Sequence, residues 1–122
     1  MNNLLYNTTS NLYPNSKSGY FYIIYNISYS KFNFINPFKI GRSNNPKKRL
    51  NQLSTGQIYN SKLIYISELC YDYIIADSLL KQHLRKYKIN RELYDIPLND
   101  AINLINHVVY DVNNPIDCRT FI

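Results

Sequence analysis

The chain has no tryptophan, one methionine, two cysteines, two histidines and three glycines among its 122 residues, and only 8 acidic side chains against 14 basic ones. Each scarcity closes a class of function. Cys70 and Cys118 lie far apart with no Cys or His at ligand spacing, so they read as reduced structural thiols; this argues against a disulfide framework and a metal-thiolate centre. His83 and His107 stand alone too, His83 toward solvent or a phosphate and His107 on a helix surface, so no histidine-based zinc site is expected. The glycines form neither a P-loop nor a dinucleotide fingerprint, and no Ser/His/Asp order appears. No run of 18 apolar residues occurs, and the N-terminus has no basic segment leading into an apolar stretch and a cleavage site. A soluble, intracellular protein with no membrane contact is expected, so the sequons at Asn7 and Asn26 are products of high asparagine content.

What remains is rich in Asn, Ile and Tyr, with 45% apolar residues and a formal charge of +6. The length is that of one domain, and enough of it is apolar to form a core. A basic excess of this size fits an anionic partner, for which nucleic acid is the first candidate.

Residues 1–18 are Asn- and Ser-rich, are interrupted by Pro14, and read as a flexible N-terminal arm. The domain spans 19–110, and 111–122, with Pro115 and no clear period, reads as a C-terminal tail. Tyr20 to Ile27, aromatic and β-branched, predicts a strand, Ser28 to Asn36 a loop, and Phe38 to Arg42 a second strand pairing with the first as a long-looped hairpin. Asn45 then caps a helix with Pro46 at its first position, ending before Gly56 and burying the edge of Leu50 and Leu53. In Ser61 to Glu68, Leu63 and Tyr65 lie on one face and Ile64 and Ile66 on the other, which predicts a central strand. Asp72 caps a longer helix to about Tyr87, with Ala76, Leu80, Leu84 and Tyr87 on one stripe. Glu92 to Ile96 is a short extended piece. Around Pro97, Asn99 and Asp100 a last helix opens, packing through Ile102, Leu104, Ile105 and Val108 or Val109. The order implies an α+β fold, a small mixed or antiparallel sheet of about three strands flanked by helices.

Three segments stand out: Gly19-Tyr20-Phe21-Tyr22-Ile23-Ile24, Phe38-Lys39-Ile40-Gly41-Arg42-Ser43, and Arg49-Leu50-Asn51-Gln52-Leu53-Ser54-Thr55-Gly56. In this order, with eight residues from Gly41 to Arg49, they resemble the GIY-YIG endonucleases, most closely the phage and large-DNA-virus branch, over about Gly19 to Ile96. The resemblance implies a divalent-metal-dependent endonuclease that hydrolyses DNA phosphodiesters by one-step in-line attack, as a monomer or weak homodimer. The alternative is a catalytically degenerate nucleic-acid binder.

On that resemblance Tyr22 takes the place of the tyrosine that activates the attacking water; otherwise it would read as one core tyrosine among 13. A phenol with its pKa at about 10 is a poor base, so it needs positive charge nearby, which Lys39, standing where the second motif has tyrosine, is expected to supply. Strand alternation puts Lys39 and Gly41 on one face, where Gly41 would let a phosphate approach closely. Arg49 matches the catalytic arginine that holds the phosphate. Arg42, Lys47 and Lys48 are expected to touch neighbouring phosphates, the two lysines non-specifically. The family's metal-binding glutamate falls at Asp77, for Mg²⁺ or Mn²⁺, with Glu68 and Glu92 as substitutes and Asn90 completing the site. Asp77 lies on a largely apolar helix stripe, so its charge calls for a partner: a metal, Arg49 or Lys39.

Overall fold

The computed structural model describes residues 17–32, 34–54 and 61–115; most of the N-terminal arm, Gly56, Cys118 and the end of the expected tail lie outside them. The elements in chain order are β1 (Tyr20–Tyr25), a 3-10 helix (Ile27–Phe32), β2 (Pro37–Ser43), α1 (Pro46–Ser54), β3 (Lys62–Ile66), α2 (Tyr73–Leu84), a 3-10 turn (Arg85–Tyr87), β4 (Lys88–Asn90), β5 (Leu93–Asp95) and α3 (Leu98–Asn113). The class is α+β. The sheet, however, has five antiparallel strands rather than about three, ordered β3-β1-β2-β5-β4.

The expected hairpin forms, with Tyr22 opposite Gly41 and Ile24 opposite Lys39. Its loop carries a 3-10 helix, begun by Asn26, whose side chain accepts from the Ser28 amide and donates to Ser61. β3 is an edge strand, not a central one. Ile64 and Ile66, which gave it two apolar faces, are partly exposed, whereas Leu63 and Tyr65 are half-buried. The two extra strands come from a tight hairpin after α2. Arg91, at φ 50°, occupies the left-handed region in its turn, so Lys88 to Asn90 folds back on the extended piece already expected at Glu92 to Ile96.

Both helix starts follow their caps. Asn45 Oδ1 accepts from the Lys48 amide, and Asp72 Oδ1 from the Ile74 and Ile75 amides. Ala76, Leu80 and Leu84 are buried on the predicted stripe of α2, and the 3-10 turn continues to Tyr87. α3 buries Ala101, Ile105, Val108 and Val109 and runs on to Asn113.

The period of two in the strands separates two environments. Phe21, Ile23, Ile40 and Tyr94 pack with Cys70 against α2 and α3, forming the main core. Tyr22 and Ile24, equally inaccessible, do not belong to that cluster; they project from the opposite face, where α1 lies against β1, β2 and β3. Ser18 is buried, and the Lys17 carbonyl accepts from the Tyr73 amide, so the last two residues of the arm are tied to the start of α2.

Candidate phosphodiester site around Gly41

Gly41 lies at the centre of the β1–β2 ladder. A Cβ placed there would fall 2.5 Å from Tyr22 Oη, 2.7 Å from its Cζ and 3.1 Å from Glu92 Oε1. The phenol ring therefore lies across the bare backbone of its cross-strand partner, with the Glu92 carboxylate reaching the same spot from the β4–β5 turn. The absence of a side chain is what lets phenol and carboxylate meet. Glu92 is held there by its own backbone, since its carbonyl accepts from the Ile40 amide, 2.9 Å. Lys39 Nζ stands 3.6 Å from Glu92 Oε1. From α1, Arg49 hydrogen-bonds the Tyr22 phenol.

The pKa of Tyr22 is raised. Burial is the largest cause and the nearby Glu92 charge adds to it, while the Arg49 hydrogen bond and the charges of Arg49 and Arg42 oppose it. The phenol is thus protonated at neutral pH. The lowering influence expected of Lys39 comes from Arg49 instead, because Lys39 is drawn to Glu92. Tyr29, in the 3-10 helix, is raised by burial and then by Tyr22, placing a second phenol near the first.

The carboxylate expected to bind metal sits on the other side of the sheet. Asp77, on α2, is 21% exposed and forms ion pairs with Lys81 at 3.1 Å and Arg42 at 3.6 Å. Its cationic partners are these two, and not Arg49 or Lys39, because Arg42 follows Gly41 by one residue and so projects from the opposite face. Arg42 also lies over the Tyr73 ring, 3.9 Å from its centroid. Asp77 and Glu92 nevertheless line one small cleft, together with Gly41, Lys81 and Tyr94.

The structure thus brings Tyr22, Lys39, Gly41 and Arg49 near one another, with Glu92, which was expected only as a substitute ligand. Asn90 shares a cross-strand row with Leu93 and Lys39, at the exposed outer edge of the sheet. Lys47 and Lys48 are exposed on the first turn of α1. Glu68 takes no part in the cluster: it lines a separate groove with Tyr71, Asn113 and Asn114. His83 is exposed, and His107 pairs with Asp111 on the surface of α3 at 3.2 Å. Cys70 is free and buried, and burial pushes its thiol pKa up. Sequence reasoning missed Lys81, although its position four residues after Asp77 on a helix was a readable signal. The stacking of Arg42 on Tyr73 had none.

Among the described residues no group of three or more His, Cys, Asp and Glu side chains converges on one point. Asp77 and Glu92 are the two carboxylate residues lining the cleft, and carboxylate oxygens are the ligands a hard cation such as Mg²⁺ takes. No helix among the described residues is long and apolar enough to cross a membrane.

Fold and site together define a small antiparallel α+β domain whose sheet holds a buried tyrosine with basic side chains around it. The family model of the T5orf172 domain matches residues 19–109, and the chain belongs to that family. No curated protein and no solved structure matches it. The assignment corrects the resemblance to GIY-YIG endonucleases, because T5orf172 is a different family. The name-giving tyrosine of the second motif is the element this chain lacks: Lys39 stands there, and pairs with Glu92.

Proposed function

We propose that this protein is an endonuclease that hydrolyses DNA phosphodiesters with Mg²⁺ or Mn²⁺. The observation that carries the reading is the meeting of the Tyr22 phenol and the Glu92 carboxylate over Gly41, with Arg49 on the phenol and Lys39 on the carboxylate. Membership in a phage-associated, endonuclease-like family and the charge of +6 support it.

In this reading Arg49 binds a non-bridging phosphate oxygen with one arm of its guanidinium while the other keeps the phenol in place. Tyr22, protonated at rest, acts as base in its minor phenolate form, having given its proton to solvent. It takes the proton of the attacking water as the new oxygen–phosphorus bond forms and the old one breaks, and the departing alkoxide takes a proton from solvent. Lys39 offsets the negative charge that grows on the phosphate. The bare backbone of Gly41 gives its space to the Tyr22 ring and the Glu92 carboxylate, so the expected close approach of a phosphate to this glycine is not available. Asp77 and Glu92 are the residues that would hold the metal. When bound, such an ion lowers the pKa of a coordinated water and neutralises phosphate charge.

A second reading is favoured by one observation: Asp77 is already matched by Lys81 and Arg42, as in a domain that binds nucleic acid without cutting it. Cleavage of supercoiled plasmid in Mg²⁺ or Mn²⁺, and in chelator, separates the two. Metal-dependent nicking that is lost in Tyr22→Phe supports the enzyme. Binding without nicking in any metal would leave the binder.

A further inference from the structure

A second groove opens beside the cleft, between the C-terminal half of α2 and the β4–β5 hairpin. Ser78, Lys81, Gln82, Arg85, Lys88 and Tyr94 line it. It adjoins the Gly41 cleft, since Lys81 and Tyr94 line both. Its lining holds three cations and no carboxylate. Lys81, in the last turn of α2, and Arg85, its C-cap and the first residue of the 3-10 turn, are four residues apart with helical backbone between them, so they project from the same side, about one helical turn apart. Lys88 reaches the same groove from β4, in register with Tyr94. Lys81 faces Asp77, but Arg85 and Lys88 are exposed, have no carboxylate within ion-pairing distance among the described residues, and stand beside the hydroxyl and amide donors Ser78 and Gln82. An arrangement of cations and neutral donors along a groove that adjoins a cleft suits a polyanion better than a single ion.

We propose that this groove binds the DNA backbone where it leaves the cleft, with Arg85 and Lys88 on successive phosphates and Ser78 and Gln82 on the phosphate oxygens between them. The inference rests on the reading of the protein as a DNA-handling enzyme. It adds a stretch of backbone contact beyond the cleft, along the end of α2 and the β4–β5 hairpin. Backbone contacts of this kind fix register and carry no base preference.

The test is titration of a short fluorescent DNA duplex with the full chain in chelator, so that nothing is cut, at several salt concentrations, for wild type and for Arg85→Gln/Lys88→Gln. The double variant is expected to bind about tenfold more weakly, with the slope of log K against log salt reduced by roughly 1 for each cation removed, and an unchanged thermal midpoint. An affinity and salt slope equal to those of wild type would overturn the proposal, as would a wild type that binds no DNA. Plasmid nicking by the same proteins in Mg²⁺ keeps the two readings apart. Nicking together with unaltered binding by the variant would sink the groove and leave the enzyme; no nicking together with weakened binding would do the reverse.

Discussion

Gly41 determines whether Tyr22 and Glu92 can share a site. Replacing it with alanine would put a methyl group 2.5 Å from the phenol oxygen, with fully buried Tyr22 having little room to yield. Gly41→Ala should therefore cost about 1–3 kcal/mol in urea unfolding and abolish nicking. Glu92 acts on Tyr22 through its charge, raising the phenol pKa. Glu92→Gln should then move the ionisation of Tyr22 to lower pH, measured as the ring-carbon NMR titration that disappears in Tyr22→Phe; a shift upward or no shift would contradict the arrangement. Most of this site was legible in the chain. Tyr22, Lys39, Gly41 and Arg49 were singled out through a resemblance that the family assignment corrects, while alternation in β2 put Lys39 and Gly41 on one face. Glu92 was not legible as a partner of Tyr22, because the turn that delivers it depends on Arg91 taking a left-handed conformation that sequence reserves for glycine or asparagine. The pairing of Asp77 with Arg42 was hidden for another reason: it joins a strand to a helix distant in sequence.

At the scale of elements, the helices were legible because their ends are written in side chains. Asp72→Ala should remove the two accepted amide bonds at the start of α2 and cost about 1 kcal/mol by thermal unfolding. The strands were less legible. Ile64 and Ile66 gave β3 the alternation of a covered strand, yet it lies at the sheet edge with those residues partly exposed. Strands of three residues, such as β4 and β5, are too short for any period to register. They nevertheless matter to the site, since they widen the sheet beyond β2 and carry Glu92 and Lys88.

The whole molecule should lose stability in alkali. Tyr22, Tyr29 and Tyr94 are all raised, chiefly by burial, and so is the Cys70 thiol. A raised acid keeps its proton in the folded state after the unfolded chain has released it. The folded state therefore binds more protons above the ordinary values of about 9 for the thiol and 10 for the phenols, and stability falls as pH rises through and beyond them. Below that range these groups add no slope. Urea midpoints should be flat with respect to these groups from pH 7 to 8 and drop above about 9; a midpoint that rises there would contradict the burial of the phenols. The protonated phenol also bears on catalysis, because a base present mainly as its conjugate acid gives a rate that climbs with pH.

The central claim, that the cluster around Gly41 cuts DNA, is tested most directly by plasmid nicking in Mn²⁺ and in chelator by wild type, Tyr22→Phe, Glu92→Gln and Asp77→Asn. The account predicts nicking by wild type in metal only, a loss of about 100-fold or more in Tyr22→Phe, and a loss in Glu92→Gln or Asp77→Asn that higher metal concentration partly restores. Nicking by Tyr22→Phe at the wild-type rate, or nicking that persists in chelator, would contradict it.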